Sequence, residues 1–247
     1  MNRGALRGAL GVALLLILWE GLARGLALPS YTLPSVSEIL LSAWTTRQAL
    51  LTAAWFTLAE ALAGYAIGCV VGIGIALLLS LLPPVRRGVM PVMMAINSVP
   101  VAAWSPLLLL WLGVGMASKI AAVALAVGFT VFLSALAGLD RVDRRAADLM
   151  RSFGAGPLSI LWRLRLPTAL PLIAAGMRVS TVRSLIVAIV TEMLGAYGGL
   201  GWIIYQAVVQ IDFVAVWSAI LVASALSLAF FGLVGVIERR VIFWRSS

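Results

Sequence analysis

The sequence predicts an all-α membrane protein with about six transmembrane helices and with both termini in the cytoplasm. Its composition is the first reason, because 63% of its 247 residues are hydrophobic and only 11% are charged. A soluble domain of this size could not bury so much apolar surface, and the mean hydropathy of +1.10 agrees. The other two reasons are the lengths of the apolar runs and the distribution of arginine between them.

Six apolar runs are long enough to cross a bilayer, whose hydrocarbon core requires about 20 helical residues. They are predicted at residues 9–26, 52–82, 89–112, 118–139, 167–194 and 213–237. The second run would measure roughly 45 Å as a helix, so it must tilt or protrude from the membrane. Together the runs predict one transmembrane domain over residues 1–247.

Basic residues are distributed unequally between the two sides of these runs. Thirteen arginines precede the first run, separate the second from the third, lie in the segment 140–166, or follow the last run. On the other side fall only Arg24, Arg47 and Lys119. Because loops rich in arginine and lysine remain in the cytoplasm, both termini and the segment 140–166 are predicted to be cytoplasmic.

The segment 140–166 is the longest interval between apolar runs and carries six arginines. Asp143 is predicted to cap a helix that ends near Phe153, with Gly154 as its C-terminal stop. A second helix is predicted to begin at Pro157, since proline fits the first helical position. Its apolar residues form one stripe that suits a membrane surface or a helix bundle. A loop that only orients the spans is the simpler alternative.

Glycine and proline give two spans special properties. In the second span, Gly64, Gly68 and Gly72 fall on one helical face, which predicts that another helix packs closely there.

The third span contains Pro91, Pro100 and Pro106. Bends within a bilayer persist only where the freed backbone groups find protein or water partners. Asn97 and Ser98 beside Pro100 are therefore candidates to line a translocation pathway, and a plain helix kink is the alternative.

Two further segments lie on the predicted outer side. Residues 29–39 contain turn-forming prolines, and the glycine-rich residues 195–201 form a flexible turn before a short helix over 202–210. The glycines lack the lysine of a nucleotide-binding loop, and no such motif occurs elsewhere in the chain. Any ATP hydrolysis must therefore come from another subunit.

Ionisable residues inside membrane spans are costly and indicate functional positions. Arg178 and Arg183 lie in the fifth span and Glu192 near its outer end, while Glu20 and Glu60 lie in the first two spans. One interpretation is that an arginine pairs with Glu60 or Glu192 and only stabilises the bundle. The other is that Arg183 faces a cavity and attracts a carboxylate, sulfonate or nitrate. The candidates for the translocation pathway are Asn97, Ser98, Pro100, Arg178, Arg183 and Glu192.

The composition also argues against other classes of function. With no histidine and one cysteine, the chain offers no His/Cys metal site and no Cys–His nucleophile pair, so no catalytic, cofactor or metal site is expected in it. The net charge of +9 would suggest nucleic acid for a soluble protein. Here the arginines lie between apolar runs, so membrane lipid is the expected partner and nucleic acid is not.

The segment 148–154, followed by Leu166-Pro167, resembles the coupling loop of ABC importer permeases, in which E-A-A-x-x-x-G precedes L-P. Asp148 stands for the glutamate, and Leu149 and Met150 replace the two alanines. In that family the loop docks into a cytoplasmic ATPase and transmits its opening and closing. The resemblance assigns ATPase coupling to Arg144, Asp148, Arg151, Gly154 and Pro167.

Other stretches resemble the branch of this family that imports sulfonates, taurine, nitrate, bicarbonate and vitamin precursors. They are Trp19-Glu20 with Leu33-Pro34-Ser35, the run from Pro100 through Gly113-Val-Gly115 to Ser118-Lys119-Ile120, and Gly176-Met-Arg178, Glu192-Met193 and Gly199-Leu-Gly201. They occur in the family's order. The branch often has arginine where Glu60 and Asn97 stand, which leaves an aromatic or heterocyclic vitamin precursor open as the solute.

The resemblance implies a type I ABC importer permease in a bacterial inner membrane. It implies alternating access for a small anionic or heterocyclic solute, with a second permease copy, two ATPase subunits and an extracytoplasmic binding protein. ATP and Mg²⁺ would be bound by the ATPase. The alternatives are an ion-coupled carrier, against which the lack of an evident inverted repeat argues, and an intramembrane enzyme.

Overall fold

A computed structural model describes residues 3–26 and 29–241 of the chain, which are almost entirely helical. The helices are α1 (Arg3–Gly25), α2 (Val36–Thr45), α3 (Arg47–Leu81), α4 (Pro83–Ser98), α5 (Val101–Leu112), α6 (Met116–Leu139), α7 (Arg144–Ser152), α8 (Pro157–Ile160), α9 (Leu166–Leu194), α10 (Leu200–Val209) and α11 (Phe213–Val241). A π-helical turn, Leu161–Arg165, joins α8 to α9.

Helices α3, α6 and α9 form the centre of the bundle. The predicted glycine face of α3 packs directly on α6, and the approach is closest at Gly72, where an added Cβ would lie 2.4 Å from the carbonyl oxygen of Gly128. Around this contact the core consists of small, branched and aromatic side chains of the three helices. The predicted close packing is confirmed.

Four helical segments within the described residues are long and apolar enough to cross a membrane, and a bent pair adds a fifth. They are α3, α6, the continuous segment Pro157–Leu194, α11, and α4 with α5. The first predicted span is the 23-residue helix α1, whose Trp19 packs edge-on against Trp217 of α11 with ring centroids 4.8 Å apart. Helix α3 has 35 residues and extends beyond its predicted start.

The predicted span over 89–112 is broken into two helices at one of its prolines. Helices α4 and α5 meet at 92°, and Val99 between them has an extended backbone with φ −78° and ψ 125°. Pro100 explains the break, because proline disfavours helical backbone at the residue before it and lacks an N–H of its own. Pro91 and Pro106 lie inside helices, so one of the three prolines breaks the span.

The outer segment 29–39 contains the start of a helix that the prediction missed. Ser35 and Glu38 form a reciprocal capping box at the start of α2. The indole of Trp19 donates to the carbonyl of Pro34 at 3.0 Å, and Glu20 accepts from the backbone N–H and hydroxyl of Ser37. The intramembrane Glu20 therefore ties α1 to α2.

The arginine-rich segments meet at one end of the bundle. Arg86 at the start of α4 forms a two-pronged ion pair with Asp140 at the end of α6, and Arg165 donates to the carbonyl of Ser80 near the end of α3. This clustering agrees with the predicted cytoplasmic side. Arg245, which also supported that side, lies outside the described residues.

Candidate functional site

The cytoplasmic loop folds as two short helices, as predicted. Asp143 caps α7 by accepting from the N–H of Arg145 at 2.9 Å. Gly154 follows α7 with φ +81°, a left-handed conformation that favours glycine. Pro157 then occupies the first turn of α8. Of the apolar stripe predicted in this second half, Leu161 is buried in the bundle whereas Leu158 and Trp162 are exposed.

The outer face of this loop combines charge with exposed apolar side chains. Asp148 and Arg151 form an ion pair at 2.7 Å. Leu149 and Phe153 project outward, and Phe153 is 82% exposed. Arg144 lines a cavity of about 690 Å³ between α7 and the bundle, together with Arg151 and Arg165. This face contributes little to the core of the chain itself.

The loop is attached to the membrane helices at several points. Asp140, where the loop begins, is paired with Arg86 of α4. Arg165, where the loop ends, bonds to Ser80 of α3, and Pro167 lies in the first turn of α9. A force applied to the loop would therefore reach α3, α4, α6 and α9.

The predicted pathway residues lie at separate places in the bundle. Asn97, Ser98 and Pro100 are exposed at the bend between α4 and α5, where the hydroxyl of Ser98 donates to the carbonyl of Ala95 at 2.7 Å. Arg183 donates to the hydroxyl of Thr130 on α6 at 3.2 Å. These positions do not form one constellation within the described chain.

Arg178 does not pair with Glu60 or Glu192, as one interpretation held. Its guanidinium lies 3.5 Å from the carboxylate of Glu238 on α11 and over the ring of Phe231 at 4.5 Å. The reason is distance along the helix, since Arg178 lies in the cytoplasmic half of α9 whereas Glu192 lies at its outer end. Arg178 thus joins α9 to α11 through an ion pair and a cation–π contact.

Glu192 is fully buried and holds the outer glycine turn. Its carboxylate accepts from the hydroxyl of Thr57 at 2.8 Å and from the N–H of Gly201 at 2.7 Å. Thr57 in turn accepts from the N–H of Leu200 at 2.8 Å. At Gly199, with φ +95°, an added Cβ would lie 2.1 Å from the carboxylate, so only glycine allows this approach.

Lys119 is a second buried charge, which the sequence interpretation assigned only to the outer side of the membrane. It is 1% exposed, and its ammonium donates to the carbonyls of Val114, Gly115 and Gly195. Three stretches singled out by their motifs, 113–120, 192–193 and 199–201, thus meet around two buried charges. The glycines and the two charged residues of these stretches were the signal available in the sequence. No feature of the sequence marked Thr57 as their partner.

A family model described as "Binding-protein-dependent transport system inner membrane component" matches residues 64–243. A probable ABC transporter permease protein of Haemophilus influenzae is 32% identical over 226 residues, 92% of each chain. The formylaminopyrimidine transport permease protein ThiX of Halalkalibacterium halodurans is 31% identical over 98% of this chain and 96% of its own. The taurine transport system permease protein TauC of Escherichia coli is 34% identical over 55% of this chain and 50% of its own.

Among solved structures, the inward-facing MetNI methionine ABC transporter contains a chain with the same fold. The TM-score is 0.64, and the match covers 78% of this chain and 98% of that one. The sequence identity of 19% limits this likeness to the fold.

Proposed function

Because the chain belongs to the family of binding-protein-dependent transport system inner membrane components, we propose that its loop 140–166 receives the motion of the family's ATPase. The chain is a multi-pass inner-membrane permease subunit of an ABC importer for a small solute, with the fold of type I importer permeases. It works with a separate ATPase and a binding protein, and it is not itself an enzyme. An ion-coupled carrier and an intramembrane enzyme find no support in these relatives.

The observation that carries the coupling proposal is the composition of the loop's outer face. Leu149 and Phe153 are exposed on a segment outside the apolar spans, next to the ion pair of Asp148 with Arg151. Exposed apolar side chains rimmed by charges are characteristic of protein-binding surfaces. In the proposal, Arg144, Asp148 and Arg151 provide the polar rim, and Gly154 sets the angle between the two loop helices.

Transmission follows from the loop's attachments. ATP and Mg²⁺ would be bound by the ATPase, whose closure would press two loops together across a permease homodimer. Each loop is joined to the membrane helices through Asp140 and Arg86, through Arg165 and through Pro167 in α9. Rigid-body motion of packed helices then alternates the access of a central pathway. In this scheme the bend at Asn97, Ser98 and Pro100 faces the pathway.

The solute is proposed to be a small anion or a heterocycle. Two relatives are named for a formylaminopyrimidine, which is a heterocycle, and for taurine, which carries a sulfonate group. Arg183 favours an anion, because its guanidinium is half-buried in the bundle and its nearest described hydrogen-bond partner is the neutral Thr130. Arg178 and Glu192 are instead engaged with Glu238 and with Thr57 and Gly201.

The test replaces Gly154 with aspartate in the reconstituted importer. An L-residue at φ +81° costs about 1–3 kcal/mol of backbone strain, and the loop can relieve it only by changing the angle between α7 and α8. We expect ATP hydrolysis stimulated by the loaded binding protein to fall on the order of tenfold, since about 1.4 kcal/mol corresponds to a factor of ten.

Gly156→Asp is the matched control. Gly156 lies two residues away with φ −73° and, like Gly154, has no atom near an added Cβ. Aspartate is also a favourable cap for α8, so this variant is expected to lose far less activity. Equal stimulation in Gly154→Asp and the unmodified importer would show that the loop does not couple the ATPase.

A further inference from the structure

A cavity of about 270 Å³ lies at the outer end of the bundle. Its walls come from α3, from the turn between α5 and α6, and from the glycine turn after α9. The side chains that define it are Phe56, Glu60, Lys119 and Tyr197. The glycine turn is fixed from both sides, because Glu192 holds Gly201 and Lys119 holds Gly195.

Glu60 is the unexplained group in this cavity. It is 5% exposed, yet no donor among the described residues reaches its Oε2. Glu60 and the neighbouring Glu192 share a side-chain hydrogen bond, which requires one proton between the two carboxyl groups and still leaves Oε2 without a donor. The ammonium of Lys119 has three donors, and three backbone carbonyls accept from it. The described chain therefore leaves a buried acceptor facing the cavity without a hydrogen bond.

Charge decides which kind of group could hydrogen-bond to Glu60 in this cavity. The buried cluster combines two carboxyl groups, Glu60 and Glu192, with one ammonium, Lys119. An anion at Oε2 of Glu60 would place a second acceptor against an acceptor, whereas an N–H donor would satisfy a buried polar atom that is costly to leave unpaired. Phe56 and the 84% exposed Tyr197 offer aromatic faces beside it.

We propose that this cavity is an outer solute subsite in which Glu60 accepts N–H donors from an amino-substituted nitrogen heterocycle whose ring packs against Phe56 and Tyr197. The inference rests on the proposed function, because it selects the heterocycle from the two solute classes left open there. The cavity of about 270 Å³ suits a single small ring with its substituents.

The experiment measures binding of labelled cytosine by equilibrium dialysis to the full-length permease assembled with its ATPase, without nucleotide. Cytosine is the probe because it combines a small ring with amino and ring N–H donors. We expect saturable binding that Glu60→Leu weakens at least about tenfold, since this variant removes the acceptor and leaves the N–H donor of the probe unpaired in the cavity. Asp212→Asn, which removes an acid near the start of α11 outside this cavity, is expected to bind cytosine like the unmodified chain.

Competition on the unmodified protein gives a second test that needs no variant. Pyrimidine, which has the ring without an N–H, and methanesulfonate, which has the anion without a ring, are both expected to compete poorly. No saturable cytosine binding, equal binding by Glu60→Leu, or effective competition by methanesulfonate would each overturn the proposal. None of these results bears on the loop, since ATPase stimulation in Gly154→Asp is measured separately.

Discussion

Glu192 shows how one buried carboxylate can organise a turn that sequence alone describes as flexible. Its partners are Thr57, far away in the chain on α3, and the N–H of Gly201 beyond the turn. Such groups are kept buried only when they are hydrogen-bonded. The glycines at 199 and 201 are therefore close-approach positions for this side chain, and the turn is a fixed support for Tyr197.

Replacing Glu192 with leucine is expected to destabilise the full-length permease. The N–H of Gly201 would lose its acceptor inside the bundle, and a buried donor left unpaired costs about 1–3 kcal/mol. The measurement is the apparent Tm in detergent, followed by circular dichroism. Glu192→Gln keeps an oxygen for Gly201 and should lose less. If both variants melted with the unmodified chain, the carboxylate would not be what holds the turn.

Individual residues also show which contacts could not be predicted from the sequence. The intramembrane arginines were recognised as special, but the partner of Arg178 is Glu238, 60 residues away on α11. That pairing depends on the register between α9 and α11, which no local pattern encodes. Lys119 was assigned only to the outer side. Its ammonium can be buried because carbonyls of two separate turns accept hydrogen bonds from it. Tertiary contacts decided both cases.

At the scale of elements, local patterns were most reliable where backbone chemistry is decisive. Asp143, Gly154 and Pro157 marked the ends of the two loop helices, because capping, left-handed backbone and a missing N–H each have one favoured place. The same rules were available for α2, since Ser35 and Glu38 form a capping box. The prolines at 29 and 34 drew that segment into a turn prediction instead.

The glycine face of α3 gives a prediction with a matched control on one helix. Gly72→Leu places a side chain against the backbone of Gly128, where an added Cβ already lies 2.4 Å from the carbonyl oxygen. Overpacking of this kind typically costs about 1–3 kcal/mol, so the apparent Tm should fall clearly. Gly74→Leu makes the same change two residues away, where no atom lies within 4 Å of an added Cβ.

The control variant, Gly74→Leu, should have an apparent Tm close to that of the unmodified protein. An equal loss of stability in the two variants would mean that leucine acts through glycine's general effect on α3, and the α3–α6 contact would not be the cause. The comparison thus separates a helix–helix contact from the behaviour of the helix alone.

For the whole molecule, the two ends of the bundle differ in their polar groups. Arginines and their ion pairs collect around Asp140 and Arg165 at one end. At the other end, buried Glu192 and Lys119 hold the glycine turn. The sequence predicted the first end through the arginine count, whereas the second required the fold, because its members come from α3, α6 and α9. The loop 140–166 and the proposed solute subsite therefore lie at opposite ends of the bundle, and the arginine distribution predicts that these ends are on opposite sides of the membrane.

This arrangement is tested by labelling single cysteines in intact cells. Cys69 is the chain's one cysteine, so Cys69→Ser provides a background without thiols. Tyr197→Cys and Phe153→Cys are a matched pair, since the two native side chains are 84% and 82% exposed at opposite ends. A membrane-impermeant maleimide should label only Tyr197→Cys in spheroplasts, and both variants in permeabilised membranes that lack the ATPase. Labelling of Phe153→Cys from outside would place the loop on the wrong side for any cytoplasmic ATPase. Because the distribution of thirteen arginines favours the opposite result, the two variants test directly the orientation that this distribution predicts.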